Sequence, residues 1–328
     1  MQAIIFDQPG SAEQLRIDHV STPTPKTREI LIKVKATALN RADLLQREGK
    51  YPPPAGASSI LGLEVSGEVV ETGSQVARWK RGDQVFGLIP GGGYAEFAVI
   101  HEDMAMPMPP GFSFTDATAI PEVFLTAYQA LKWIACLQAG ETLLVHAGAS
   151  GVGTAAIQLA KQFKAKEIIV TASATKHALC HKLGANLSID YRTQDFEEKI
   201  QEHTSGRGVD VIIDFIAAPY FNKNIESLAM DGRLVLLATL GGIKVEEINL
   251  LKLLSKRLQL TASTLRSRSL NYQIQLTKDF ADFALPRFET QELRPIIDSI
   301  YSWKDVVEAH KYMESNQNSG KIVLQLEE

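Results

Sequence analysis

The stretch from Glu141 to Lys164 reads ETLLVHAGASGVGTAAIQLAKQFK. Thr142-Leu143-Leu144-Val145 is short, apolar and rich in strand formers, as a buried parallel strand is. Gly148-Ala149-Ser150-Gly151-Val152-Gly153 follows at once. Val152, Ala155, Ala156, Leu159, Ala160 and Phe163 then recur at helical spacing. Strand, glycine-rich turn and helix present unpaired backbone N–H groups to a diphosphate. Gly148, Ser150 and Gly153 take the three places of G-x-G-x-x-G, so the middle place is serine, with Gly151 beside it. Such a turn also occurs with no ligand, so the next strand has to decide between the two readings.

That strand is Ile168-Ile169-Val170-Thr171, followed by Ala172-Ser173-Ala174-Thr175-Lys176. In a dinucleotide fold an acid here usually binds both ribose hydroxyls and repels a 2′-phosphate. No acid is present. Small hydroxyl residues and one lysine suit a doubly charged phosphate, which favours NADPH over NADH. Tyr191, after the strand Leu187 to Asp190, is placed to lie against the adenosine end.

Residues 1–120 read mostly as strands and turns. Ala3 to Phe6, Ile30 to Ala36, Glu64 to Thr72, Gln84 to Leu88 and Tyr94 to Ile100 are the strand candidates, separated by Gly/Pro-rich turns. Many short strands of this kind predict a distorted β-barrel. From about 122 to 265 helices and strands alternate, which predicts a parallel sheet covered by helices. A helix around Phe124 to Trp133 precedes the glycine-rich strand. Further helices are expected at Lys176 to Leu183 and Ile225 to Met230, and further strands at Val209 to Phe215, Leu234 to Thr239 and Leu258 to Ala262. In the tail, Gln273 to Phe283 reads as a helix broken by Pro286, Asp305 to Glu314 as another, and Gly320 to Leu324 as a last strand that rejoins the N-terminal domain.

With 328 residues the chain has room for two domains, and a formal charge of −4 gives no reason to expect nucleic acid or an anionic membrane. No apolar run approaches the roughly 20 residues needed to cross a bilayer. The start, MQAIIFDQPG, lacks the features of a secretory signal, and two cysteines make no disulfide framework. A reduced, cytoplasmic protein is expected.

Gly62-Leu63-Glu64-Val65-Ser66-Gly67, Gly82-Asp83-Gln84-Val85, Gly93-Tyr94-Ala95-Glu96 and His146 to Gly153 together resemble the medium-chain dehydrogenase/reductases across essentially the whole length. Zinc members of that superfamily carry a cysteine near position 40, a Gly-His-Glu triplet and a four-cysteine lobe. Here position 40 is Asn40, the triplet is Gly62-Leu63-Glu64, and no cysteine precedes Cys136. A metal-free enzyme is therefore expected, since zinc needs thiolate or imidazole ligands in number. Asn40 to Tyr51, Pro121 to Thr126, Leu265-Arg266-Ser267-Arg268 and Ala309 to Glu314 resemble the NADPH-dependent quinone oxidoreductases, the last two segments especially the stress-inducible branch of animals. The resemblance implies a GroES-like barrel, 1–121 and 268–328, interrupted by a Rossmann doubly wound sheet, 122–267, with the active site in the cleft between them.

It also implies roles. Asn40 and Tyr51 face nicotinamide and substrate, and Thr126 contacts the nicotinamide half. Ser150, Gly151 and Val152 hold the diphosphate, and Lys176 and Tyr191 bind the 2′-phosphate end. Leu240-Gly241-Gly242 and Leu265-Arg266 flank the nicotinamide, and Asn318 reaches back to the cofactor. On residue chemistry alone, Asn40 also reads as a buried-turn partner and Tyr51 as a loop anchor. His146 reads more as a packed histidine than as a proton donor, and Arg266 and Arg268 read equally as surface charges. The implied reaction is hydride or electron transfer to a quinone, with the Tyr51 hydroxyl and the Asn40 amide as donors to the developing oxyanion. The alternatives are an NADPH-dependent enone or alkenal double-bond reductase, and a non-enzymatic NADPH- or RNA-binding protein. A homodimer paired through the edge strand Leu258 to Ala262 is expected by analogy.

Overall fold

The structure, a computed structural model, describes residues 1–326 and divides into two compact units. The first holds Met1–Leu125 and the chain from Arg266 onward; the second holds Thr126–Leu265. In the first, β1 (Gln2–Ile5), β2 (Arg16–His19), β3 (Glu29–Ala38), α1 (Arg41–Arg47), β4 (Glu64–Thr72), β5 (Gln84–Leu88), β6 (Phe97–His101), β7 (Ala105–Pro107) and α2 (Phe114–Thr118) come in order. Helix α3 (Pro121–Tyr128) and a π-helical stretch, Gln129–Ile134, lead into the second unit. There β8 (Thr142–Val145), α4 (Gly151–Gln162), β9 (Glu167–Ala172), α5 (His177–Leu183), β10 (Leu187–Asp190), α6 (Phe196–His203), β11 (Val209–Asp214), α7 (Phe221–Ser227), β12 (Leu228–Leu236), α8 (Leu250–Lys256) and β13 (Gln259–Ala262) alternate. The chain returns to the first unit with α9 (Leu270–Glu289), β14 (Ile297–Ser302), α10 (Val306–Glu314) and β15 (Lys321–Gln325).

The first unit is built on β3. Its inward residues Ile30, Ile32, Val34 and Ala36 are all buried, and it pairs antiparallel with β4, β6 and β15. The last pairing, Val323 opposite Ala38, sews the tail onto the N-terminal strands. Helix α1 interrupts the stretch that reads as strands and turns. The signal for it is Asn40-Arg41-Ala42-Asp43, where the Asp43 carboxylate accepts from the Asn40 amide at 2.8 Å, one half of a capping box.

Pro286 does not break its helix. Leu276, Phe280, Ala284 and Phe288 are fully buried at four-residue spacing, and α9 continues through the proline to Glu289. Pro286 sits in the last turn, where its missing N–H forfeits a single bond, and its own carbonyl still accepts from Thr290. A second correction falls at Ile225 to Met230. The helix stops at Ser227, because Leu228 and Ala229 are buried and extend into β12, parallel to β11.

A buried chain links Arg47, His310 and Tyr94. Arg47 Nη1 donates to His310 Nδ1 at 3.2 Å, so the ring proton sits on Nε2, which faces the Tyr94 hydroxyl at 3.2 Å. Burial, and then the Arg47 charge, push the His310 pKa down to about 3. The unfolded chain therefore takes up this proton first, near pH 6.5, and the contribution to stability falls as pH drops from there. We expect a loss of about 2 kcal/mol from this group between neutral pH and pH 5. Denaturant melts at the two pH values check it, and His310→Gln removes that part of the slope.

In the second unit the strand order is β10-β9-β8-β11-β12-β13, all parallel. Leu144, Ile169, Ile189, Ile212 and Leu234 from five of these strands meet Phe196 and Ile200 of α6 in its core. Sequence order reverses between β8 and β11. That switch point is where the carboxyl ends of parallel strands leave a crevice for a ligand.

Candidate active site

At the carboxyl end of β8 the backbone turns sharply. Ala147 has φ 50°, a left-handed conformation that costs a residue with a Cβ about 1 kcal/mol or more. A Cβ on Gly148 would lie 2.6 Å from the Val170 side chain, and one on Gly153 would lie 2.4 Å from the Ala147 carbonyl oxygen. Both positions therefore require glycine, which lets α4 begin hard against the sheet. Ser150 caps the helix, its Oγ accepting from the Gly153 amide at 3.0 Å. Among the described residues nothing accepts from the amides of Gly151 and Val152. Two donors at the N-terminus of a 12-residue helix match an anion in charge and direction.

The sequence places Lys176 at the 2′-phosphate end, and the structure puts it, half-buried, at the start of α5, just beyond β9. Tyr191 follows β10 and is exposed, with the Arg192 guanidinium 5.8 Å from its ring centre. Thr126 is half-buried on α3. Leu240, Gly241 and Gly242 form an open loop held by the segment after β11. Leu240 and Gly241 donate to the carbonyls of Phe215 and Ile216 at 3.0 and 2.8 Å, and Gly242 accepts from Ala218. Leu265 is buried at the end of the second unit.

The first unit carries a separate constellation. Glu64 is fully buried on β4. Its Oε1 accepts from Asn40 Nδ2 at 2.8 Å and from Lys321 Nζ at 2.7 Å, and its Oε2 accepts from the Glu122 amide. Lys321 also donates to Asn40 Oδ1 at 2.7 Å and to the Leu39 carbonyl. The Asn40 amide is thus fixed from both ends, its Nδ2 also donating to the Ala38 carbonyl at 3.3 Å. Asp43, beside this group, accepts from the Gly62 amide, and burial raises its pKa to about 6.

Arg266 is buried, not a surface charge. Its Nη2 donates to Gln46 Oε1 and its Nε to the Pro90 carbonyl, both at 2.8 Å, and its guanidinium lies 5.4 Å from the Tyr51 ring centre. Its Nη1 is buried with no partner among the described residues. Arg266 therefore supports Tyr51, whose half-buried hydroxyl has no hydrogen-bond partner among the described residues. Burial raises the Tyr51 pKa, so the hydroxyl keeps its proton at neutral pH. Asn318 is half-buried ahead of β15 and donates to the Gly320 carbonyl.

Sequence reasoning missed Glu64, Lys321 and Gln46 as partners of the site. Only Glu64 carried a signal, as the acid of the Gly62-Leu63-Glu64 triplet.

Two family models match the chain: an alcohol dehydrogenase GroES-like domain over residues 26–110 and a zinc-binding dehydrogenase over residues 151–282. A quinone oxidoreductase of Lama guanicoe is 31% identical over 332 residues, covering 99% of this chain and 98% of the relative. The crystal structure of Escherichia coli quinone oxidoreductase complexed with NADPH superposes with a TM-score of 0.89 at 29% identity, over 99% of this chain and 100% of the other. The CurK enoyl reductase gives 0.89 at 27% identity, over 99% of both chains. Fold and site together define an oxidoreductase that pairs a GroES-like domain with a Rossmann sheet. The chain belongs to the medium-chain dehydrogenase/reductase family and matches quinone oxidoreductases over its full length.

Proposed function

We propose that this protein is an NADPH-dependent, zinc-independent quinone oxidoreductase. The observation that carries the reading is the pair of unpaired amides of Gly151 and Val152, with Lys176 rather than an acid following the second strand. Gly151, Val152 and Ser150 would hold the diphosphate, and Lys176 and Tyr191 the phosphorylated adenosine. Thr126, Leu240-Gly241-Gly242, Leu265 and Asn318 would border the nicotinamide half. The dinucleotide supplies the hydride. The protein orients the two reactants and keeps water away. A quinone gains negative charge on oxygen as it is reduced, and the Tyr51 hydroxyl is the free donor available to it. Asn40, held by Glu64 and Lys321, would face the nicotinamide and substrate, and Arg266 braces the Tyr51 ring.

The matched description of a zinc-binding dehydrogenase raises the question of a metal. At the Asn40–Glu64 position the donors are an amide and one carboxylate, and the Lys321 ammonium lies 2.7 Å from each. That set lacks thiolate and imidazole and already holds a cation, so it does not fit zinc. This supports the zinc-independent reading.

The second reading, a double-bond reductase for enones or alkenals, draws on the similarity to the CurK enoyl reductase. Turnover of 1,4-quinones, ortho-quinones and enones under NADPH separates the two. Quinone turnover at least tenfold above the enones supports the first, and the reverse order supports the second. No helix among the described residues is long and apolar enough to cross a membrane, and two free thiols suit a cytoplasmic protein.

We also propose a homodimer. Strand β13 is an edge with all four residues exposed, and Ile243, Leu250, Leu251, Leu254 and Leu260 of the same unit are exposed apolar side chains. An unpaired edge beside such a surface invites a second copy. Sedimentation is expected to give about twice the chain mass, with Leu254→Asp shifting it to monomer. A monomeric wild type would end the proposal.

A further inference from the structure

Four side chains that touch no solvent run across the switch point of the second unit. Thr171, His146, Asn224 and Asp214 are each at most 1% exposed. Asn224 Nδ2 donates to Asp214 Oδ2 at 3.0 Å, which leaves Asn224 Oδ1 to accept from His146 Nε2 at 2.7 Å. The His146 proton is therefore on Nε2, and Nδ1 accepts from the Thr171 hydroxyl at 3.0 Å. Thr171 Oγ1 in turn accepts from the Ala147 amide at 3.3 Å. At the far end Asp214 accepts from the amides of Ile216 and Ala217 at 2.6 and 3.2 Å. Every donor and acceptor has one role, and the chain admits one direction. Burial lowers the His146 pKa, so the ring stays neutral, and Phe196 and Tyr220 pack on it with centroids 4.8 and 4.7 Å away.

The two ends of this chain hold two strained backbones. Ala147, with φ 50°, opens the glycine-rich turn after β8, and Ala217, with φ 69°, opens the loop after β11. A residue with a Cβ keeps such a conformation only when its surroundings over-determine it. The Ala147 end sets up Ser150, whose amide donates to the Ala147 carbonyl at 2.9 Å. The Ala217 end sets up Gly241 and Gly242 through Ile216 and Ala218. These are the two places on the second unit where the dinucleotide reading puts the diphosphate and the nicotinamide half.

We propose that Thr171, His146, Asn224 and Asp214 are positioning residues: one buried relay that fixes the two loops of the cofactor footprint relative to each other before a dinucleotide arrives. The proposal rests on the NADPH reading above. Its two anchored backbones, Ala147 and Ala217, lead into the diphosphate turn and the loop of Leu240 to Gly242, so it acts on the diphosphate and nicotinamide portion of the ligand and not on the phosphorylated adenosine.

The test uses the full chain with two ligands, NADPH and adenosine 2′-monophosphate, which carries the 2′-phosphate and no part of the diphosphate. Thr171→Val keeps the shape and removes the hydroxyl, and Thr171→Ser keeps the hydroxyl. We expect Thr171→Val to weaken NADPH about tenfold, the scale of one unsatisfied buried partner. The 2′-monophosphate should stay within about twofold, and Thr171→Ser should restore NADPH binding. Equal weakening of both ligands, or no loss of NADPH affinity, overturns the proposal. Should the valine variant fail to fold, hydrogen exchange on the unliganded wild type decides. The Ala147 and Ala217 amides must exchange about a hundredfold more slowly than the unpaired Gly151 and Val152 amides, and comparable rates overturn the relay. A wild type that binds the 2′-monophosphate but no NADPH sinks the functional reading instead, and the exchange measurement still judges the relay.

Discussion

Replacing Lys176 by glutamate is expected to weaken NADPH binding roughly 100-fold while NADH affinity moves by about twofold or less. The lysine stands at the start of α5, directly after β9, with Ser173 and Thr175 and no acid in the turn. An ammonium facing a phosphate makes a charge-assisted hydrogen bond of about 1.5–3 kcal/mol. Glutamate deletes that bond and adds repulsion toward a dianion. The adenosine of NADH lacks the 2′-phosphate, so neither effect reaches it. Fluorescence titration of both cofactors against wild type and Lys176→Glu gives the answer. Parallel losses for both would mean that Lys176 shapes the turn and does not recognise phosphate.

Removing the Tyr51 hydroxyl is the second large effect. Tyr51→Phe is expected to lower kcat for quinones about 100-fold, the range seen when one donor to a developing oxyanion is lost, with NADPH affinity unchanged within about twofold. The ring is braced by Arg266, which Gln46 and Pro90 hold in turn, so phenylalanine should occupy the same place. Because burial raises the hydroxyl pKa, the donor stays protonated through the neutral range, and kcat should show no Tyr51 titration there. Unchanged turnover in the phenylalanine variant would reduce Tyr51 to a structural role.

The parts of this molecule that could be read from sequence are those whose physics is local. Strand β8, the turn Gly148 to Gly153 and helix α4 lie within one continuous run, and Gly148 and Gly153 each have a neighbour that forbids a Cβ. The lysine after β9 is likewise a statement about one turn. The polar cluster of the first unit is the opposite case. Asn40 and Glu64 are 24 positions apart and Lys321 is 257 from Glu64, so only the pairing of β15 and β4 with β3 brings them together. Arg266 could not be told from a surface charge in the sequence, because its partners Gln46 and Pro90 are 220 and 176 positions away. The errors at Pro286 and Leu228 have one cause. Local propensity ends or extends a helix there, and packing of Phe288 in one case and Leu228 in the other outweighs it.

The most direct measurement is quinone reduction by chelator-treated protein, with NADPH and NADH compared at equal concentration. We expect kcat/KM at least about tenfold higher with NADPH, as a charge-assisted contact to the 2′-phosphate requires, and the same rate before and after chelation. Equal use of the two cofactors, or activity lost to the chelator and restored by zinc, would contradict it.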